Sequence, residues 1–392
     1  MAPDYQSVAG DRLVGDYRET HGMVSYSKPF VQWALVFGAV TALVISSWYV
    51  ATQTYNTDFP TLYRAGKLVL VRDLPLAAIY DQAVLNSIPV PEHLTARVAS
   101  ESRFVWPSIA AIPLATIAWL PYYPAKALTI FLNAVAYVWA VLLCSRGVPN
   151  PSLRIRFVAV ACLWLPFLTT LLFGQVNGLI LLLAVVAGHA GSRGRWLISG
   201  AAVGFAAGLK VFPLGLGAFL GLMNLRIGVA SVAFFGLLMI HQPLSPWLAS
   251  MSVPIAAHPS FPSLLLAPLS LALLTTYVVV VMAAGITMGW AGRRLGAQWL
   301  VAMGLVTILL ASPMSEYYHL TVVVVAYAQF VLPGRSEWAG RASAVVSALF
   351  LTVAWFLPGV GRIALCWLGL VMLWLGLGSQ LQGLDVRHSM DC

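Results

Sequence analysis

Acidic side chains are scarce in this sequence, which narrows the search for a catalytic base. No Asp or Glu occurs between Glu101 and Glu316 in the 392-residue chain. Asp58 follows the first long apolar run, within the segment Tyr-Asn-Thr-Asp-Phe-Pro. A carboxylate flanked by aromatic rings at the end of such a run is suited to general-base chemistry, because desolvation favours proton uptake. The alternative is a helix cap, since Asp before Pro is common at a first helical turn.

Lys210 and His319 are basic side chains beside long apolar runs, where an anion would find little competition from water. Lys210 is the only Lys or Arg between Arg195 and Arg226. A charge inside apolar sequence is costly and indicates function, although a lysine can also extend its ammonium group to a nearby interface. His319 lies three residues after Glu316, so the two share a face if the segment is helical. The alternative for this segment is an interfacial aromatic belt with two polar anchors.

Gln175 and Asn177 lie in a polar turn, Gly-Gln-Val-Asn-Gly, between two apolar runs. Their amides are suited to sugar hydroxyls or phosphate oxygens, while the alternative is an ordinary turn that places Asn177 near a left-handed conformation. No second pair of His or acidic residues with ligand spacing accompanies Glu316 and His319. The sequence therefore predicts neither a metal site nor a cofactor.

The elements that hold these residues are membrane helices. The chain is 60% hydrophobic and 9% charged, with a mean hydropathy of +0.85, whereas soluble domains carry roughly 25% charged residues. Apolar runs lie near 30–51, 107–120, 122–144, 157–173, 178–190, 196–212, 213–223, 228–241, 264–289, 296–311, 317–332, 342–357 and 362–378. We predict eleven to thirteen crossings. The net charge of +9 is spread over short loops, so nucleic acid is not expected as a partner.

The polar segments between the runs predict the topology and the domains. Basic residues mark the cytoplasmic loops, namely Arg146, Arg154, Arg156, Arg193, Arg195, Arg226, Arg293, Arg294, Arg335 and Arg341. We expect a cytoplasmic tail at 1–29, a membrane-embedded domain at 30–380 with a structured outer loop at 52–105, and a C-terminal tail at 381–392. Parity then requires that one of the segments 107–120 and 122–144 does not cross fully, with the break at the prolines between them.

An ordered set of short motifs resembles glycosyltransferase family 87 between about residues 55 and 320. The motifs are Asp58-Phe59 with Tyr63 and Ala65, Leu76-x-x-Ile79-Tyr80-Asp81, Trp106-Pro107, Gly174-Gln175-Val176-Asn177, Lys210-x-x-Pro213, and Ser312-Pro313 with His319. The resemblance implies an all-α GT-C-like membrane bundle that uses polyprenyl-phosphate sugars, as mannosyltransferases and arabinofuranosyltransferases of this family do. Thr57-Asp58 stands where many GT-C enzymes carry paired acids, which favours a metal-independent reaction.

The resemblance implies a site on the outer face of the cytoplasmic (inner) membrane with Asp58 as the base. The expected phosphate-binding residues are Lys210, His319, Arg64 and Arg103, and the expected sugar-binding residues are Gln175, Asn177, Tyr63, Trp106 and Glu316. We predict inverting transfer of a sugar, with mannose as the expected sugar, from a polyprenyl-phosphate donor to a lipid or glycan acceptor. Membrane lipids are expected as further partners. The alternative is a membrane transporter or flippase of a lipid-linked glycan or small solute. A transporter is expected to carry several ionisable residues along a central pathway.

Overall fold

The structure is a computed structural model of the chain. It describes residues 45–52, 58–70, 74–91, 103–148, 150–257, 261–266, 270–312, 317–331, 338–357 and 359–381, without the side chains of 251–257, 261 and 318. The chain divides into two units, 1–46 and 47–392, and all helices named below belong to the second. The predicted tail at 1–29, and residues 382–392 of the other, lie outside the described residues.

Helices form all the regular structure, and no strand occurs among the described residues. The first half contains α1 (Asp58–Leu70), α2 (Gln82–Ser87), α3 (Ala111–Ala118), α4 (Tyr122–Ser145), α5 (Pro151–Cys162), α6 (Leu165–Phe173), α7 (Asn177–Ser192) and α8 (Trp196–Leu209). The second half contains α9 (Gly215–Gly221), α10 (Leu225–Leu238), α11 (Leu244–Ala257), α12 (Phe261–Leu266), α13 (Leu271–Ala291), α14 (Ala297–Ala311), α15 (Val324–Val331), α16 (Trp338–Phe356) and α17 (Gly359–Ser379). Short 3-10 turns lie at Leu76–Tyr80, Ser108–Ala110, Phe212–Leu214, Gly292–Leu295 and Tyr317–Val323. The predicted all-α fold is confirmed.

Among the described residues, four helices are long and apolar enough to cross a membrane: α4, α13 with its following 3-10 turn, α16 and α17. The pair α5 and α6, bent by 41°, makes a fifth if it counts as one span. Seven further apolar helices in the described part of the chain are shorter. The prediction of eleven to thirteen crossings counted segments of both kinds. Many large apolar side chains on these helices are exposed, as a surface that faces lipid requires.

The predicted topology requires that one of the segments 107–120 and 122–144 does not cross the membrane fully. The segment before Pro121 forms the shorter helix. The 3-10 turn at Ser108–Ala110 and α3 form one apolar helix, Ser108–Ala118. At 1.5 Å per residue it rises about 16 Å, roughly half of a bilayer's apolar thickness. In contrast, α4 begins after Pro121 and has 24 residues. Segment 107–120 is therefore the shorter of the two, and the partial crossing of one segment stays a prediction.

The first polar loop is folded in its described parts, and Arg64 lies at its centre. The Arg64 side chain is 1% exposed. Its Nε donates to the carbonyl oxygen of Ile88 at 2.9 Å, and Nη1 donates to Oδ1 of Asn86 at 2.8 Å. Since Arg64 belongs to α1 and its two acceptors lie at the end of α2 and just beyond it, the guanidinium group holds these elements together.

Gln242 joins the first loop to the polar segment after α10. Its Oε1 accepts from both N and Oγ of Ser108 at 2.7 Å, and its Nε2 donates to Tyr80 at 2.8 Å. The Tyr80 hydroxyl in turn donates to the carbonyl oxygen of Trp106 at 2.8 Å. Burial raises the pKa of Tyr80, which keeps this hydroxyl a donor. Trp247 adds a bond to the carbonyl oxygen of Val105 at 3.1 Å.

Helices α8 and α10 approach closely because glycines of α8 line their contact. A Cβ built on Gly200 would lie 2.4 Å from Cβ of Ala230, and one on Gly204 would lie 2.6 Å from Cβ of Phe234. Gly208, one turn later, faces Leu238 at 3.0 Å. Small residues at every fourth position allow membrane helices to pack at short distance. The close packing fixes the end of α8, just before Lys210.

We predict that Gly200→Ala destabilises the protein, whereas Gly236→Ala does not. An added methyl group at Gly200 must push α8 from α10, and overpacking of this kind costs about 1–3 kcal/mol. Gly236 belongs to the same helix pair but has nothing within 4 Å of an added Cβ. Thermal unfolding of both variants in detergent measures the difference. Equal midpoints for the two variants would contradict the tight contact.

Candidate active site

Asp58 begins α1 and is half-buried. Its Oδ2 accepts a hydrogen bond from Nε2 of Gln175 at 2.7 Å, across 117 residues of sequence. Asp81 is the other carboxylate among the described residues; it is exposed, and its Oδ1 accepts from the backbone N–H groups of Ala83 and Val84. The structure therefore brings Asp58, and not Asp81, to the polar turn predicted from the sequence.

The turn that holds Gln175 and Asn177 follows α6 and is shaped by a glycine and by an asparagine of another helix. Helix α6 ends at Gly174, whose φ of 64° lies in the left-handed region that favours glycine. Asn133 of α4 then holds the turn from the side. Its Nδ2 donates to the carbonyl oxygen of Gln175 at 2.6 Å, and its Oδ1 accepts from N of Gly178 at 2.8 Å. The turn is consequently fixed by another helix.

Lys210 and His319 form a buried basic pair at the other end of this turn. Lys210 comes directly after α8 in an extended conformation and is 6% exposed. Its Nζ donates to Oδ1 of Asn177 at 3.1 Å and lies 3.2 Å from Nε2 of His319, which is 5% exposed. Because an ammonium group can only donate, Nε2 accepts in this contact. The ammonium group is therefore turned inward and does not extend to an interface.

Two threonine hydroxyls form a chain of contacts that begins at the side-chain amide of Asn177. The Nδ2 atom of Asn177 lies 3.4 Å from Oγ1 of Thr170, which is 2.7 Å from Oγ1 of Thr321. Thr321 also donates to the carbonyl oxygen of Pro166 at 2.9 Å. Thr321 lies two residues after His319 in the same 3-10 turn. The bond between the two hydroxyls thus connects the segment that carries His319 to α6. Asn177 and His319, the two residues that contact Lys210, are thereby linked.

An aromatic cluster joins the first residues of α1 to the start of α4. Phe59, Tyr63 and Tyr122 pack with ring centroids 5.4–6.1 Å apart. The hydroxyl of Tyr122 and the Oε1 atom of Gln175 are both buried and have no hydrogen-bond partner among the described residues. A buried polar atom without a partner is costly. Both atoms therefore have hydrogen-bonding capacity that the described residues do not use.

The other predicted site residues do not join this network through the contacts that the structure describes. Tyr63 lies in the aromatic cluster, and its hydroxyl donates to the carbonyl oxygen of Leu120 at 3.0 Å. Trp106 packs on Phe104 within the first loop. Arg103 is exposed. The donors of Arg64 hold the loop, as described above. Glu316 lies outside the described residues.

Sequence reasoning passed over Asn133, Thr170 and Thr321, although all three are buried at the turn. Asn133 lies inside the apolar run 122–144, and a polar side chain in such a run is itself a signal of function or of helix contact. The same run contains Lys126, which is fully buried. The threonines carry no comparable signal, because hydroxyls are common in membrane helices and bond to their own backbone. No group of three His, Cys, Asp or Glu residues fit for a metal occurs in the described part of the chain.

The sequence model of glycosyltransferase family 87 matches residues 104–313, more than half of the chain. The chain belongs to glycosyltransferase family 87. The family predicted from the ordered motifs is confirmed. The match includes Asn133, Gln175, Asn177 and Lys210, so this family 87 glycosyltransferase carries most of the described turn within the matched region.

Comparisons with solved structures and with curated proteins add no functional assignment. Among solved structures, ArnT from Cupriavidus metallidurans bound to undecaprenyl phosphate matches with 14% identity and a TM-score of 0.40. The match covers 90% of this chain and 77% of that chain. This likeness is too distant to carry a functional conclusion. No curated protein matches the family 87 chain at a significant level.

We predict that Gly174→Ala destabilises this family 87 glycosyltransferase more than Gly194→Ala. Both glycines have positive φ, 64° and 71°, so both substitutions cost about 1–2 kcal/mol in backbone strain. Only at Gly174 does an added Cβ meet another residue, Phe59, at 2.9 Å. Thermal unfolding compares the two variants. If Gly194→Ala loses as much stability as Gly174→Ala, the contact between the turn and the start of α1 is not tight.

Proposed function

We propose that this protein transfers a sugar from a polyprenyl-phosphate donor to a hydroxyl group of a lipid or glycan acceptor. The observation that carries the proposal is the single hydrogen-bonded turn at 174–178. It joins a carboxylate, Asp58, through Gln175, and a cation, Lys210, through Asn177. A general base and a phosphate-binding cation at opposite ends of one turn match the two needs of sugar transfer from a phosphate.

Asp58 is the proposed general base. The acceptor hydroxyl gives its proton to the carboxylate as its oxygen bonds to the anomeric carbon of the donor sugar. At the same time the bond between that carbon and the donor's phosphate oxygen breaks, and its electron pair goes to the phosphate. A single displacement of this kind inverts the configuration at the anomeric carbon. The bond from Gln175 Nε2 orients one oxygen of Asp58 for this task.

Lys210 is the proposed partner of the departing phosphate, with His319 beside it. Negative charge grows on the phosphate as the bond breaks, and a fixed cation in a dry site stabilises such charge strongly. The contacts to Asn177 Oδ1 and His319 Nε2 are with neutral acceptors, which hold the ammonium group in place before the donor arrives. His319 adds a ring nitrogen within reach of the same phosphate.

The unpartnered Oε1 atom of Gln175 is the proposed contact for a hydroxyl group of the sugar. It belongs to the same amide that bonds to Asp58, so binding of the sugar and placement of the base are coupled. The hydroxyl of Tyr122 and the ring of Tyr63 supply a second polar atom and an aromatic wall. Mannose is the sugar to test first, because the family resemblance of the motifs implies it.

The proposed location of the reaction is the outer face of the cytoplasmic membrane. The basic clusters of the short loops favour the cytoplasm, and the turn at 174–178 lies at the opposite ends of the adjoining runs. A donor with a polyprenyl tail lies in the same bilayer as the protein. An activated sugar therefore reaches the site by diffusion within the membrane.

We predict that Asp58→Asn lowers transfer at least 100-fold without loss of the fold. The amide preserves the shape but cannot accept the acceptor's proton, and general-base catalysis contributes about 10²–10⁴-fold. The assay uses the full chain in proteoliposomes with radiolabelled polyprenyl-phosphate mannose and membrane lipid extract. Asp81→Asn is the matched control, because the other described carboxylate only caps α2. Equal activity of Asp58→Asn and wild type would remove the base assignment.

We predict that Lys210→Met weakens donor binding and lowers transfer by about 100-fold, the usual cost of removing one group that stabilises transition-state charge. Binding of polyprenyl phosphate without sugar is measured by its effect on thermal unfolding. Lys67→Met is the control, because this lysine lies over the Tyr63 ring on α1 and not at the turn. Counterflow of labelled lipid that persists in Asp58→Asn, with no transfer in wild type, would favour a transporter.

A further inference from the structure

Asn133 is a buried polar side chain within the long apolar helix α4, and it contacts both ends of the polar turn. Its Nδ2 atom donates to the carbonyl oxygen of Gln175 at 2.6 Å. Its Oδ1 atom accepts from the N–H groups of Gly178 and Leu179 at 2.8 and 3.1 Å. One side chain therefore holds the backbone both before and after Asn177.

The chemistry of these bonds fixes which way round the Asn133 amide lies. A backbone carbonyl can only accept a hydrogen bond, and a backbone N–H can only donate one. Nδ2 must therefore face Gln175, and Oδ1 must face the N–H groups of Gly178 and Leu179. An ionised carboxylate offers only acceptors, and an aliphatic side chain offers neither donor nor acceptor. The contact accordingly requires an amide at residue 133.

Tyr137, which lies one helical turn after Asn133, fixes α4 against the helices on both sides of the polar turn. Its ring stacks on Phe167 of α6, with centroids 3.6 Å apart and an interplanar angle of 6°. Its hydroxyl donates to the carbonyl oxygen of Ala161 at 2.7 Å. At the start of α7, a Cβ built on Gly178 would lie 3.1 Å from Cβ of Tyr137 and 2.8 Å from Oδ1 of Asn133. Helix α4 therefore cannot slide along α6 or α7 without breaking these contacts.

The backbone that Asn133 holds carries the two side chains that contact the proposed reactive groups. Gln175 Nε2 donates to Asp58 Oδ2 at 2.7 Å, and Lys210 Nζ donates to Asn177 Oδ1 at 3.1 Å. Because Asn133 binds the carbonyl of Gln175 and the N–H that follows Asn177, it fixes the chain between the base and the cation. We propose that Asn133 is a positioning residue that sets the separation between Asp58 and Lys210. The inference rests on the function proposed for those two groups.

The separation matters because a single displacement has the acceptor hydroxyl and the departing phosphate on opposite sides of the anomeric carbon. The base must reach one side while the cation reaches the other. A misplacement of about 1 Å can lower the rate of a reaction about 100-fold, although each group still binds its own partner. Asn133 should therefore affect the rate of transfer more than the binding of the phosphate.

Transfer kinetics of Asn133→Ala test this role, with the full chain in proteoliposomes and radiolabelled polyprenyl-phosphate mannose. The value of kcat should fall about 10–100-fold. Polyprenyl phosphate should stabilise the variant against thermal unfolding as strongly as it stabilises wild type. An unchanged kcat overturns the proposal. Loss of the stabilisation by polyprenyl phosphate also overturns it, because Asn133 would then act on phosphate binding or on the fold as a whole.

Asn150→Ala is the matched control, because Asn150 makes the same kind of contact at the start of another helix, α5. Its Oδ1 atom accepts from the N–H groups of Ser152 and Leu153 at 2.9 and 3.2 Å, and its side chain is exposed. This variant should lose some stability and keep the wild-type kcat. If its kcat falls as far as that of Asn133→Ala, loss of any such helix contact impairs transfer, and the inference is wrong.

A double-mutant cycle in thermal stability tests the same position without any substrate. Gln175→Met removes the hydrogen bond to Asp58 and should lower the unfolding midpoint. In the Asn133→Ala background the same substitution should lower the midpoint much less, because the amide of residue 175 is no longer held at the carboxylate. Asn150→Ala combined with Gln175→Met is the control, and its losses should add. Additive losses for Asn133→Ala and Gln175→Met would contradict the proposal.

If Asn133→Ala does not fold, both experiments use Asn133→Asp, with the same results expected. As a carboxylate this side chain keeps its size and the acceptor for the N–H groups of Gly178 and Leu179, but it loses the donor to Gln175. If wild type shows no transfer, the proposed function fails. The stability cycle then still decides whether Asn133 places the side chain of Gln175 at Asp58.

Discussion

The structure depends on one constraint, which is that charged and amide groups inside an apolar bundle must find partners within the protein. Apart from the Oε1 atom of Gln175, the turn at 174–178 satisfies this constraint by linking residues that are far apart in the sequence. Gln175 reaches Asp58 near the start of the chain, and Asn177 reaches Lys210 in its middle. Hydrogen bonds in such surroundings are strong and leave little freedom of position. The need to provide partners for buried polar groups therefore fixes the positions of these side chains.

Much of this arrangement could be predicted from the sequence, for physical reasons that differ between residues. Lys210 stood out because a charge in apolar sequence is rare, and Asp58 because carboxylates are scarce. The family resemblance added order to these signals. Their assembly around one turn could not be predicted, because it depends on Asn133, and a polar residue within an apolar run does not show which distant segment it will contact. Their roles in catalysis stay predictions.

Other features depend on contacts that leave no local pattern. Arg64 was predicted to bind phosphate because it is basic, yet its donors are directed to the loop residues Asn86 and Ile88. Gln242 drew no attention in a polar segment, although it bonds to Ser108 and Tyr80. Composition predicts that a side chain is polar, but only the packing of distant segments decides whether it meets a substrate or the fold.

The hydrogen bonds between Asn133 and the turn also limit how this part of the protein could bind an anion. The first amides of a helix carry a partial positive charge and often bind phosphate without help from side chains. At the start of α7, however, the N–H groups of Gly178 and Leu179 already donate to Asn133 Oδ1. These N–H groups therefore hold the turn in place and are not available to bind an anion. Recognition of the proposed donor phosphate at this turn therefore depends on side-chain charge, which one substitution can remove or reposition while every helix keeps its backbone.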